Sequence, residues 1–233
     1  MTYKKWTITS DKFLSENEIK GLLRHLETEM ASSLTRGGSF QLVRDYYAVR
    51  CLLETGSRVF EFCDLLNSDV RDNKVIIRKG KGNKPRTVLL TKATSKLLKE
   101  WNQVKYRQGF VNNSEDPLFP NSRNEKYCTR AIQKRIKLIF EVAGLPKNLS
   151  VHSLRHTYCS LLLAQKVSLA TVKEQLGHSS ISITNLYSHA IGNLDDVELY
   201  PQNFSYKNTK DELLNEDQNQ QNWMLGNKDK KVS

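Results

Sequence analysis

Apolar residues recur every three or four positions over most of the chain, which is the signature of amphipathic helices. Ser15-Glu16-Asn17-Glu18 is a capping box, and Ile19, Leu22, Leu23 and Leu26 follow at helical spacing, so a first helix is predicted from Ser15 to Met30. A glycine turn near Gly37-Gly38 closes it. Leu42, Val43, Tyr46, Val49 and Leu53 share one side of a second helix that stops at Gly56, and a short helix begins near Ser57. Further helices are predicted over Ala93 to Gln108, Thr129 to Ala143, Val151 to Ala164, Leu169 to Leu176 and Ser182 to His189.

The period changes in one place only. Lys74 to Arg78 and Thr87 to Leu90 are β-branched runs separated by Lys79-Gly80-Lys81-Gly82-Asn83-Lys84-Pro85, which predicts a β-hairpin with a basic tip. The expected class is therefore mainly α with a small antiparallel β-sheet (α+β). Asn112 to Lys126 reads as a polar loop. After Ile191 the chain turns to Asn, Gln, Lys, Asp and Glu, which predicts a flexible tail, within which Glu212 to Leu225 could form a short helix on a partner.

Charge sharpens this picture. The net charge is +11, but the residues after Ile191 hold eight acidic side chains against five lysines, so the preceding body carries +14. A body this basic points to a polyanion, nucleic acid first and an anionic membrane surface second. No run approaches the roughly 18 apolar residues of a membrane span, and Met1 to Lys12 lacks the apolar core of a secretion signal, so a cytoplasmic location is expected. Cys51, Cys63, Cys128 and Cys159 form no CxxC pair and read as reduced, apolar fillers of helices.

The candidate chemical residues are unremarkable one at a time. His152 and Arg155 lie three apart, so on one helix face both could reach one anion. His178 follows the helix-ending Gly177, where the chain turns towards a cleft, and Tyr187 sits nine residues later among Asn185, Leu186 and Ser188. Arg58 follows Thr55-Gly56-Ser57 with Glu61 one turn on, a spacing that also suits a local ion pair worth a few tenths of a kcal/mol. Lys81 lies on the hairpin tip. Each of these has an ordinary reading as packing or solvated surface.

Their order and spacing together are not ordinary. Thr-Gly-x-Arg-x-x-Glu at Arg58, Gly-Lys-Gly-Asn-Lys at Lys81, His-x-x-Arg at His152, Leu-Gly-His-Ser at His178 and a tyrosine nine residues later resemble the tyrosine recombinase (phage integrase) family. Leu65, Asp69 and Val70 fall at the family's spacing after Arg58, and the likeness runs from Leu14 to Ala190. It implies the tyrosine recombinase catalytic-domain fold over residues 14–191, between a short extension (1–13) and the tail (192–233).

The resemblance also implies a mechanism in which six side chains converge on a DNA phosphate. Arg58 and Arg155, both always protonated and planar, would clamp the nonbridging oxygens without a metal ion. Tyr187, whose ordinary pKa is near 10, would attack phosphorus after losing its proton to His152. His178 would donate to a phosphate oxygen, and Lys81 would protonate the leaving 5′-oxygen. The product is a 3′-phosphotyrosyl link that conserves bond energy, so neither ATP nor another cofactor is expected. The chain has no Walker loop, and its carboxylates are not clustered as a two-metal nuclease requires.

Expected partners are double-stranded DNA, further copies of the chain in a tetramer on that DNA, and an accessory protein. Lys79, Lys84 and Arg86 on the hairpin, with Arg130 and Lys134 on the following helix, are the expected DNA contacts. Family members commonly carry a core-binding domain of around a hundred residues before the catalytic domain, and here barely a dozen residues precede the first helix. That suits either a compact single-domain member or a fragment. Two other readings remain open at this point: a non-cleaving DNA-binding regulator on the same fold, and a zinc protein using His152, His156 and Cys159, which lacks a fourth ligand.

Overall fold

The computed structural model describes residues 9–35, 39–80, 82, 84–110 and 112–177. Ser15 opens α1 (Glu16–Thr35) by the reciprocal bonding its sequence prescribes, its amide donating to Glu18 Oε2 at 2.7 Å and its Oγ accepting from the Glu18 amide at 3.4 Å. The helix runs five residues past the predicted Met30. The hydroxyls of Thr28 and Thr35 bond back to the carbonyls of Arg24 and Ala31, so polar residues that look like a helix end are satisfied within it.

α2 (Phe40–Thr55) starts on Ser39 and is the axis of the molecule, flanked by α1, by α4 (Lys92–Arg107) and by α6 (Val151–Ala164). From Val43 to Thr55 only Arg50 escapes full burial, which explains why the charged residues of this stretch are all partnered. Asp45 takes Arg135 of α5 (Thr129–Val142) at 2.8 Å, Arg44 donates to the Pro120 carbonyl at 3.0 Å, and Glu54 accepts from Thr94 at 2.7 Å. Phe40, Tyr47, Trp101 and Phe119 stack across this core, extended by Phe62 against Phe119.

The sheet has three strands in the order β1 (Val70–Arg71), β2 (Lys74–Ile77), β3 (Arg86–Leu89), all antiparallel, with Val75 opposite both Val70 and Val88. The hairpin matches the sequence reading to within a residue. β1 is additional: two residues are too short to show a period, and its turn needs Asp72 at φ 48°. The 112–126 segment is likewise more than a polar loop. Leu118 and Phe119 are buried in the main core, and Leu66 and Pro117 form a bridge.

α3 (Val59–Cys63) joins α2 to the sheet, and α7 (Leu169–Leu176) lies against β3 and α6. Under α6 and α7 sits a second small core of Phe13, Tyr158, Cys159, Leu162, Val172 and Leu176. The observed α4 to α7 agree with the predicted spans within one residue. Cys51, Cys63 and Cys159 are buried as expected, but Cys128 is exposed: it caps α5, its sulfur accepting from the Ala131 amide at 3.4 Å. Among the described residues no helix is long and apolar enough to cross a membrane. The predicted Gly37-Gly38 turn, the Ser182 to His189 helix and the tail lie outside the described residues.

Candidate active site

The end of α7 collects the arginines. Gly177 terminates the helix in the left-handed conformation (φ 62°, ψ 47°), leaving the last carbonyls without helical partners at the negative pole of the helix. Three guanidiniums take three successive carbonyls there. Arg86 Nε donates to Gln175 O at 3.0 Å, Arg155 Nη2 to Leu176 O at 2.6 Å, and Arg58 Nη2 to Gly177 O at 3.3 Å.

Each guanidinium arrives from a different element. Arg155 lies one turn into α6, buried, and its Nη1 donates to the Gly56 carbonyl at 2.6 Å. Gly56 caps α2 in the left-handed region (φ 58°, ψ 20°), so the turn that ends α2 also presents an acceptor to α6. Arg58 is the N-cap of α3, and its Nη1 donates to Glu61 Oε1 at 3.0 Å while its amide donates to Glu61 Oε2 at 2.7 Å. Each terminal nitrogen carries two hydrogens, so the bonds made by Arg58 leave a second hydrogen on each for an incoming anion.

His152 stands in the first turn of α6 on the solvent side. Partial loss of solvent, then the charges of Arg155 and Arg58, lower its pKa below the usual 6.5, so it is held neutral at neutral pH. It opens on a cleft of about 420 Å³ shared with Lys134, Lys137, Leu138 and Ser150. His156, one turn on, is pushed down to about 4 by burial, with His152 and Arg155 adding to the effect.

The structure thus brings Arg58, His152 and Arg155 together. Lys81, His178 and Tyr187 lie outside the described residues. Among the expected DNA contacts, Lys134 shares the His152 cleft, Arg130 is exposed one turn away on α5, Lys84 is exposed on the hairpin and Lys79 is exposed beside Glu61. Arg86 differs from that expectation: its side chain is only 8% exposed and both terminal nitrogens donate to Glu61, at 2.7 and 2.8 Å. Its position on β3 facing α3 and α7 consumes its donors inside the protein.

Glu61 and Gln175 have more in this site than the sequence suggested. Burial alone would raise the Glu61 carboxyl, but Arg86 and Arg58 outweigh it and hold it below the usual carboxylate range. The Arg-x-x-Glu spacing signals the Arg58 contact, whereas the second partner comes from a strand 25 residues away. Gln175 carried no signal at all. Among the described residues, no three His, Cys, Asp or Glu side chains stand close enough to share a metal ion.

The phage integrase family matches this chain over residues 12–192. A tyrosine recombinase XerC of Corynebacterium efficiens is 37% identical over 147 residues, covering 63% of this chain and 46% of that protein. A XerC of Lactobacillus delbrueckii is 31% identical over 84% of this chain and 64% of its own length. The chain spans about half the length of several such relatives. Among solved structures, XerA recombinase superposes with a TM-score of 0.63 at 29% identity, covering 76% of this chain and 60% of that one. XerH bound to its difH substrate gives 0.61 at 28% identity, over 76% of this chain and 50% of that one.

Proposed function

The chain belongs to the phage integrase family, and from that premise we propose that it is a site-specific tyrosine recombinase that cuts and rejoins DNA through a 3′-phosphotyrosyl intermediate. The observation that carries the reading is the convergence of Arg58 and Arg155 on adjacent carbonyls of α7, with His152 beside them. Two fixed cations at one point suit a phosphodiester, whose transition state spreads charge over its nonbridging oxygens.

In this mechanism Arg58 and Arg155 hold the phosphate, and the Tyr187 oxygen attacks phosphorus. His152, neutral at working pH, takes the tyrosine proton. The bond to the 5′-oxygen breaks as Lys81 protonates it, and His178 donates to a nonbridging oxygen. Rejoining reverses these steps with the 5′-hydroxyl of another strand. Lys79, Lys84, Arg130 and Lys134 contact the DNA backbone, and strand exchange takes place in a tetramer of the chain on duplex DNA, with an accessory protein as a further partner. A DNA substrate places the activity in the cytoplasm, at the nucleoid.

The test is covalent capture. Nicked duplexes of randomised sequence are incubated with the protein, and adducts that survive detergent are isolated and sequenced. Wild type should yield an adduct with an enriched sequence, and Tyr187→Phe should yield none. DNA binding without adduct by wild type would make the chain a non-cleaving regulator.

A further inference from the structure

Arg86 forms the hub of a closed set of bonds. Both Glu61 oxygens are shared between Arg86 and Arg58: Oε1 takes Arg86 Nη1 and Arg58 Nη1, and Oε2 takes Arg86 Nη2 and the Arg58 amide. The Gln175 carbonyl takes Arg86 Nε, and the Gln175 side-chain oxygen accepts from the Leu89 amide at 2.9 Å on the outer edge of β3. Three separate elements, the α3 turn, β3 and the end of α7, are therefore joined at one guanidinium.

Charge gives this arrangement a purpose. A Glu61 carboxylate that orients Arg58 also places a negative charge, fully buried, beside a site meant for an anion. Alone it would cancel much of the Arg58 charge that a phosphate feels. With Arg86 bound on both oxygens, the group of Arg58, Arg155, Arg86 and Glu61 keeps a net charge of two positive units.

We propose that Arg86 is a positioning residue: it neutralises Glu61, so that this carboxylate can orient Arg58 without repelling the phosphate, and it anchors the α7 carbonyls that carry both arginines of the clamp. The proposal rests on the recombinase reading above. Gly177 fits it closely, since a Cβ there would lie 2.9 Å from Arg86 Cδ, so only glycine allows the arginine stem to pass beneath the helix end.

The test uses the sequence captured by the wild-type protein as a nicked duplex under single-turnover conditions. Arg86→Met should slow adduct formation by about 10- to 100-fold, less than the roughly 10²- to 10³-fold of a lost transition-state donor because Arg86 acts through Arg58, while DNA affinity and its salt dependence stay close to wild type. Adding Glu61→Gln to Arg86→Met should recover about a tenth or more of the lost rate, because the unbalanced charge is gone. A merely structural bond would give no such rescue, so a double variant no faster than Arg86→Met overturns the charge argument. A fall in affinity with a shallower salt slope would instead make Arg86 a direct phosphate contact. Arg86→Lys, which keeps the charge without the fork, should fall between wild type and Arg86→Met and covers the case in which Arg86→Met does not fold. Amide exchange across residues 169–177 is independent of chemistry on DNA: it should quicken in Arg86→Lys, and unchanged exchange overturns the anchor. If wild type forms no adduct, the recombinase reading fails while this exchange measurement still decides the anchor.

Discussion

Gly56 lies directly beneath the ring of Tyr158, so near that a Cβ added to it would overlap a ring carbon and sit 2.8 Å from Leu176 Cδ2. This contact locks the end of α2 to α6 and α7, and its carbonyl is the one Arg155 holds at 2.6 Å. Gly56→Ala adds left-handed strain of about 1–2 kcal/mol to overpacking of about 1–3 kcal/mol. We expect a loss of about 2–5 kcal/mol in urea unfolding at unchanged m-value. Adduct formation should fall further than stability alone explains, since the overpacked turn displaces the residue 56 carbonyl that Arg155 holds. A variant as stable as wild type would mean the three helix ends are not packed as described.

The His152 imidazole should give catalysis an acidic limb. A base must be neutral to accept the Tyr187 proton, and partial desolvation with the charges of Arg155 and Arg58 moves its pKa below 6.5. The rate of adduct formation should therefore rise with pH at low pH and level off before 6.5. Exchanging His152 for Gln should lower the plateau by about 10²-fold or more and remove that limb. A plateau reached only above 6.5 would contradict the assignment.

How much of this was legible in the sequence follows from which interactions are local. The spans of α4 to α7 and the hairpin came through within a residue, and the start of α1 with them, because period, caps and glycine stops are carried by neighbours, as at Ser15, Gly56 and Gly177, whereas α1 outran its predicted end at Met30 by five residues. β1 did not, since a two-residue strand has no period and exists only by pairing with Val75 and Lys74. Arg58, His152 and Arg155, which the fold brings together, were singled out through spacing, which reports a shared helix face or turn. Arg86 was misjudged for the opposite reason: a basic residue on a hairpin looks solvated until Glu61 and Gln175, from distant parts of the chain, are seen to enclose it. Leu118 and Phe119 were lost in a polar stretch for want of any pattern, though they fill the core beside Trp101.

Lys105 should make stability rise with pH. Its side chain is buried, its Nζ donates to Asn67 Oδ1 at 2.6 Å and stands 5.8 Å from the Trp101 ring centre. Burial pulls its pKa down to about 7, against an upward pull from Asp116. Between about 7 and the ordinary 10.5 the unfolded chain holds a proton that the folded one releases, so protonation favours unfolding in that window. Stability from this group is complete above 10.5 and falls by about 1.4 kcal/mol per pH unit down to about 7. Lys105→Met should remove that slope, seen as a difference between variant and wild type that shrinks from pH 7 to 9 in parallel urea titrations. Parallel curves would show that Lys105 stays charged in the fold.

Salt dependence should separate the DNA contacts from the cations that serve the fold. Lys134 shares the cleft of His152, and Lys84 is exposed beyond β3, so each is placed to neutralise one phosphate and release its counterion. Replacing either by Ala should lower the slope of log K against log salt by about 0.9 and weaken binding alike for specific and random duplexes. Arg135, bonded to Asp45 at 2.8 Å behind α5, should leave the slope untouched while Arg135→Met destabilises the fold, because a buried carboxylate loses its partner. The same slope in the Lys84→Ala and Lys134→Ala proteins as in wild type would move the DNA away from the hairpin and α5 altogether.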